Sequence, residues 1–194
     1  MNRRLTLALI ALVPLAGFAA SSVEDAQRIL HAAIDEVLML ADKAPNLTVL
    51  EQRIEPVLRK HISFDVMTRR AVGPGWRQFN AAQQKQAVAL FSKLIIRSYS
   101  NNFTIGEHPE IKYHTATAPA AGRVDVSTTT IYHGNHYAVI YRMEEAEGWR
   151  TTDVVIEGVS MVANYRSQLD PVFKKGGAEA VVRSLEQSVT RPQP

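Results

Sequence analysis

The spacing of apolar residues changes about half-way along the chain. Up to about residue 103, apolar residues recur every three or four positions, as in helices that bury one face. From residue 111 onwards they tend to alternate with polar residues, as in strands, and helical spacing returns after residue 166. Helices, then an antiparallel meander, then a further helix are the order expected of an α+β domain.

Capping residues and helix breakers set the limits of the predicted elements. Thr48 with Glu51 and Asn80 with Gln83 form capping boxes that begin two of the helices. Pro56 lies inside the first of these and should kink or divide it. The predicted helices span about residues 22–44, 48–62, 64–72, 80–103 and 166–189, and the predicted strands span 111–117, 123–132, 137–143 and 149–157. Gly134-Asn135 is the predicted hairpin turn between the second and third strands.

The strand at 149–157 has apolar residues on both faces. Val154 and Ile156 point to one face, and Val155 points to the other. A strand of an antiparallel sheet usually has one apolar and one polar face. Either a helix covers the second face, which periodicity alone favours, or the sheet curls around something apolar.

The first residues have the pattern of a secretory signal. Arg3 and Arg4 precede an apolar run at 5–18 that is shorter than the roughly 20 residues of a membrane span. We expect cleavage after Ala19, so that residues 20–194 form one mature domain. Phe18 stands where a lipoprotein has its lipidated cysteine, and the chain contains no cysteine, so no lipid anchor is expected.

Charge and motif content favour a binding protein over an enzyme. Loss of the two leader arginines leaves 20 basic and 19 acidic residues, without a basic stripe, so nucleic acid is not an expected partner. The six histidines form no metal-binding motif, and Ser160 lacks the glycines of a nucleophile elbow. Asp153 and Glu157 are roughly 13 Å apart along a strand, too far to act on one bond. No catalytic residue, metal or cofactor is predicted.

Two blocks of sequence resemble the MlaC family of periplasmic phospholipid carriers, also described as toluene-tolerance auxiliary components of a Gram-negative ABC transport system. Residues 64–103 contain F-D, M-T, W-R and the pattern F-x-x-L-x-x-R-x-Y, and residues 153–169 read "DVVIEGVSMVANYRSQL". Lys175-Gly176-Gly177 then matches the family's K-G-G. The chain departs from the family pattern at "GPG", residues 73–75.

The resemblance implies N-terminal helices packed on a curved antiparallel sheet, with a C-terminal helix, enclosing an apolar cavity for acyl chains. On this hypothesis the lipid-binding residues are Phe91, Leu94, Ile95, Tyr99 and Phe103 on one wall and Val139, Tyr141, Val155, Val159 and Met161 on the other. A headgroup phosphate favours a guanidinium at the mouth. Arg97 and Arg166, within the matching blocks, are the headgroup candidates.

The function implied is a soluble periplasmic carrier that needs no cofactor. It would shuttle phospholipid between an inner-membrane ABC transporter complex with an MCE-type protein and an outer-membrane lipoprotein–porin complex, and so maintain outer-membrane lipid asymmetry. Three alternatives stay open. They are a carrier of another lipid such as a hopanoid, a small-molecule enzyme of the cone-shaped helix-on-sheet type with Asp153 or a histidine as base, and a periplasmic chaperone or adaptor for polypeptide.

Overall fold

The order of elements confirms the predicted α+β class. A computed structural model describes residues 16–100, 104 and 106–191, and the side chains of 22–98, 100, 104 and 106–191. The helices are α1 (Ala16–Asp42), α2 (Leu47–His61), α3 (Phe64–Val72), α4 (Ala81–Ser100) and α5 (Met161–Thr190), with a 3₁₀ helix (Gly73–Gln78) between α3 and α4. α5 is interrupted by a kink at Gly176 and Gly177, whose backbone is not helical. The strands are β1 (Glu110–Tyr113), β2 (Thr117–Ala120), β3 (Arg123–Tyr132), β4 (Asn135–Glu145), β5 (Trp149–Ile156) and β6 (Val159–Ser160). Most of the predicted signal sequence lies outside the described residues.

The six strands form one curved, open antiparallel sheet in the order β1-β3-β4-β5-β6. β1 and β2 pair with successive stretches of the same edge of β3, because β4 occupies its other edge. The β3–β4 hairpin turns at His133 and Gly134, one residue earlier than predicted. Both residues have positive φ, 49° and 75°, as a two-residue type I′ turn requires.

The starts of α2 and α4 show how local sequence fixes the helices. Before α4, the Gln83 N–H donates to Asn80 Oδ1 at 2.9 Å and the Asn80 N–H donates to Gln83 Oε1 at 3.0 Å. This reciprocal pair confirms the predicted capping box. α2 begins earlier than predicted, because Asn46 rather than Thr48 is its cap. It is one helix that includes Pro56.

The start of α5 explains the acidic residue within the apolar strand β5. Ser160 Oγ accepts from the Ala163 N–H at 3.0 Å, and Asp153 Oδ1 accepts from the Val162 N–H at 3.1 Å. Asp153 Oδ2 also accepts from the Ser160 hydroxyl at 2.6 Å and from Arg142 at 3.1 Å. These bonds satisfy helix donors that would otherwise lack partners. α5 therefore begins at Met161, five residues before the prediction.

The apolar interior is divided into two clusters. The helical cluster lies between α2, α3, α4 and α5 and includes Leu50, Ile54, Phe64, Met67, Phe91, Ile95, Val181 and Leu185. The sheet cluster lies between the first half of α1 and the sheet and consists of Ala26, Leu30, Val124, Val126, Met143 and Trp149. In the second half of α1, Val37, Leu40 and Ala41 pack against the helical cluster, whereas Ile34 packs against the sheet cluster.

Replacing Asp153 with alanine should lower the free energy of unfolding by about 2–3 kcal/mol, because the variant loses a buried charged acceptor and a helix cap together. Chemical denaturation followed by circular dichroism measures this change. Asp170→Ala is the control, since Asp170 pairs with Lys174 on the surface and its removal should cost about 0.5 kcal/mol or less. Equal effects of the two substitutions would contradict the capping role.

Candidate functional site

An apolar cavity of about 600 Å³ lies between α1, α2 and one face of the sheet. This volume is within the range of roughly 300–1,000 Å³ that is typical of ligand pockets. The helical wall includes Leu30, Ala33, Ile34, Val37, Leu38, Ile54 and Leu58, and the sheet wall includes Thr130, Tyr137, Val139, Tyr141, Val154 and Ile156. The cavity therefore has the lining of a site for an apolar ligand.

The alternation of side chains along β4 and β5 produces the sheet wall. Tyr137, Val139 and Tyr141 are alternate residues of β4 and so share one face. On β5, Val154 lies opposite Tyr141 and Ile156 lies opposite Val139. Successive pairs of the hairpin thus extend the apolar surface along the cavity.

The cavity is closed at its inner end and open at the hairpin end. Beyond Tyr141, the next residue on the same face of β4 is Met143, which is fully buried in the sheet cluster. At the other end, Tyr137 and Ile156 are each 38% exposed. A ligand would therefore enter near the β3–β4 turn and extend towards Tyr141.

The open end carries polar groups. The Tyr132 hydroxyl donates to Glu107 Oε2 at 2.9 Å, and the His133 imidazole bonds to the same oxygen. The hydrogen bonds from His133 and then Tyr132 hold the pKa of Glu107 below its ordinary value. Since Tyr132 and His133 also line the cavity, this rim is suited to the polar end of an amphipathic ligand.

The lining phenol of Tyr141 and the neighbouring phenol of Tyr113, which is not a lining residue, are in an apolar setting. Burial, with a smaller contribution from Tyr113, raises the pKa of Tyr141 to about 12. Burial, with a smaller contribution from Asp35, raises the pKa of Tyr113 to about 12. The Tyr113 hydroxyl and His31 Nε2 are buried and lack a hydrogen-bond partner among the described residues. On α2, burial first and Lys60 second lower the pKa of His61, another lining residue.

Two of the ten residues predicted to contact lipid line this cavity, Val139 and Tyr141. Three others, Phe91, Leu94 and Ile95, are buried inside the helical cluster and do not reach it. Their apolar stripe on α4 packs against other helices instead.

The remaining predicted contacts lie elsewhere. Val155 is buried but points to the face of β5 opposite Val154, so it is not a lining residue. Met161 packs against the helical cluster, and Val159 is exposed. The side chain of Tyr99 and the whole of Phe103 lie outside the described residues. A lipid contact for these residues stays a prediction.

The two predicted headgroup residues do not line the apolar cavity. Arg97 donates to the Val189 carbonyl and thereby joins α4 to the end of α5. Arg166 lies in a separate polar cleft that does not share a lining residue with the apolar cavity. Their headgroup role is a prediction that this geometry does not favour.

Sequence reasoning missed the helical wall. The apolar spacing of α1 predicts a helix with one buried face, but a stripe that faces a cavity has the same spacing as one that faces a packed core. The motifs that carry the family resemblance lie in segments that include α4 and β5, and none of them lies on α1. On β5, alternation identified two apolar faces but could not tell which of them faces the cavity.

Two further features bear on the kind of site. In the described ranges, no cluster of three or more histidine and acidic side chains is placed to bind a metal ion. No helix in the same part of the chain has the length and hydropathy of a membrane span.

The comparisons with known proteins agree with a lipid site. The family model described as MlaC protein matches residues 31–187. A solved structure of a phospholipid-binding protein from Ralstonia solanacearum, in complex with a phospholipid, superposes with a TM-score of 0.79 at 28% identity. The match covers 85% of this chain and 97% of that one. The comparison with curated proteins finds no match.

The raised pKa values of Tyr113 and Tyr141 predict a late phase in a spectrophotometric titration of the six tyrosines. Two phenols should ionise near pH 12, and Tyr141→Phe should remove one of them. An acid whose folded pKa is raised stabilises the fold below its unfolded pKa of about 10, and this contribution is lost as pH rises towards 12.

The same titration in denaturant serves as the control, because all the phenols should then ionise near pH 10, roughly their model value. If the group lost in Tyr141→Phe ionises near pH 10 in the folded protein, Tyr141 is not in the apolar environment described above.

Proposed function

The chain belongs to the MlaC family, and on this premise we propose that it is a phospholipid carrier that holds acyl chains in the cavity between α1, α2 and the sheet. The observation that carries the proposal is an apolar cavity with one open, polar end in a fold whose solved relative binds a phospholipid. The chains would lie along Val139 and Val154 towards Tyr141. The headgroup would lie at the rim formed by Tyr132 and His133.

The physical need for such a cavity follows from the cost of exposing acyl chains to water. Burial of one methylene is worth about 0.8 kcal/mol, so two chains of about 16 carbons favour an apolar site by some 20 kcal/mol or more. A lipid cannot cross an aqueous space unaided at an appreciable rate. A bilayer provides a similar free energy, however, so exchange between membrane and carrier is nearly balanced.

Because the exchange is balanced, the direction of transport must come from partner proteins. We propose that this protein works in the periplasm and exchanges lipid with an inner-membrane ABC transporter complex containing an MCE-type protein and with an outer-membrane lipoprotein–porin complex. This exchange would maintain the lipid asymmetry of the outer membrane. Family membership supports these partners.

The position of Asp153 argues against its use as the base in the enzyme alternative. The carboxylate of Asp153, the base considered from sequence, accepts hydrogen bonds from Ser160, Val162 and Arg142. It lines the polar cleft and not the apolar cavity. A base that is fixed as a helix cap on the far face of the sheet cannot reach a substrate in the cavity.

Val139→Trp tests the proposal, because an indole at this position would fill the cavity. Protein purified from its membrane-containing host should carry a diacyl lipid in native mass spectrometry. We expect Val139→Trp to retain several-fold less lipid, while its far-ultraviolet circular dichroism stays that of the unsubstituted protein.

Ile140→Trp is the matched control, since Ile140 is the next residue of β4 and points to the opposite face. It should keep its lipid. Full lipid occupancy in Val139→Trp would contradict the assignment of the cavity. A peptide bound in place of lipid would favour the chaperone alternative, and turnover of a small substrate by an empty protein would favour the enzyme.

A further inference from the structure

A second cavity, of about 560 Å³, lies on the face of the sheet opposite the apolar cavity. We call it the polar cleft. Its floor is formed by Asp125 on β3, Arg142 and Glu144 on β4, and Asp153 on β5. These residues alternate with the cavity-facing residues of the same strands. Arg70 from α3 and Arg166 from α5 lie at its walls.

Arginine is the commonest charged residue in the lining of the polar cleft. Four guanidinium groups line it, from Arg70, Arg123, Arg142 and Arg166, together with three carboxylates, from Asp125, Glu144 and Asp153. The net charge of these side chains is therefore +1. If each carboxylate neutralises one guanidinium, the positive charge of one arginine is not neutralised.

Two of the three carboxylates, those of Glu144 and Asp153, already have hydrogen-bond and ion-pair partners within the protein. Glu144 accepts two hydrogen bonds from Arg70 Nη2, at 2.9 and 2.8 Å, and lies 3.3 Å from Arg123 Nε. Asp153 caps α5 and pairs with Arg142 at 3.1 Å. Neither carboxylate has much capacity left for a further cation.

The guanidinium groups, in contrast, keep unused donors. Each has five N–H groups, and Arg142 uses one of them in the contacts above. Arg166 forms no ion pair or hydrogen bond with another described side chain. The Arg166 side chain is exposed but lies against Gly73, where an added Cβ would come within 3.0 Å of Arg166 Nε. Donors that are positioned but unused, in a concave site, are the arrangement that binds a carboxylate in a bidentate manner.

We propose that the polar cleft is a docking site for acidic side chains of a protein partner. Asp125, whose side chain has no ion-pair partner among the described residues, and the other two carboxylates would repel a uniformly anionic membrane surface. A flat bilayer would also not enter a concave cleft whose lining includes the buried Asp153. A protein segment with glutamate or aspartate side chains can enter it and place its charges between the arginines.

The position of the polar cleft separates docking from lipid binding. The sheet stands between the two cavities, so a lipid in the apolar cavity cannot place its phosphate among these arginines. A partner bound at the polar cleft would leave the open end at Tyr137 and His133 uncovered. The inference thus goes beyond lipid binding and does not depend on it.

The test uses an end-blocked peptide of four glutamates and the isotope-labelled protein at low ionic strength. The peptide should shift the side-chain Nε–Hε resonances of Arg142 and Arg166 in nuclear magnetic resonance spectra. Arg166→Glu should weaken this binding at least about fivefold, because it removes a donor and adds a repelling charge. Raising the salt concentration should weaken binding further.

Lys175→Glu is the matched control, since it makes the same charge change on α5 at an exposed residue outside the polar cleft. It should bind the peptide as the unsubstituted protein does. Three results would each overturn the proposal. They are an equal loss of peptide affinity in both variants, an affinity of Arg166→Glu equal to that of the unsubstituted protein, and absence of peptide binding by the unsubstituted protein.

Two parallel titrations identify other sources of the anion. Binding of inorganic phosphate at the same resonances without peptide binding would overturn the peptide as ligand. The proposal would also be overturned if the protein bound vesicles containing phosphatidylglycerol, in a manner that depends on Arg166, and did not bind the peptide. Absence of lipid from the unsubstituted protein would count against the carrier function alone and leave the peptide result unaffected.

Discussion

The structure depends on a gap that helix α1 leaves above an apolar sheet. Near its middle α1 packs closely, with Ala26 and Leu30 against Val124, Val126 and Met143. Its second half lines a space of about 600 Å³ that the protein's own side chains do not fill. An unfilled apolar space forfeits dispersion contacts on every wall. Acyl chains bound there, as proposed above, would restore these contacts and so would stabilise the fold.

The period of two along the central strands gives the sheet two different surfaces. On β4, Tyr141 faces the apolar cavity while Arg142 faces the polar cleft. On β5, Val154 faces the cavity and Asp153 faces the cleft, where it also fixes the start of α5. A single sheet therefore separates an apolar site from a charged one. This separation would allow the proposed lipid binding and the proposed partner docking to use different residues of the same strands.

The fold could be predicted from sequence because its signals are local. Caps such as Asn80 with Gln83 and the turn beside Gly134 depend on neighbouring residues alone. The position of the site depends on which apolar helix stripe has no other element packed against it, and the periodicity of the sequence does not show this. The stripe of α4 around Phe91 fills the helical cluster, whereas that of α1 faces the cavity. On β5, both faces are apolar, so the sequence does not show that Val154 rather than Val155 faces the cavity.

The most direct test of the account is an experimental structure of the protein with the lipid that it carries when purified from its membrane-containing host. The account requires continuous density for acyl chains between α1 and the sheet, in contact with Val139, Tyr141 and Val154, and a headgroup near Tyr132 and His133. Density for the chains behind α4, against Phe91 and Ile95, would contradict it. So would a cavity closed by direct packing of α1 on the sheet.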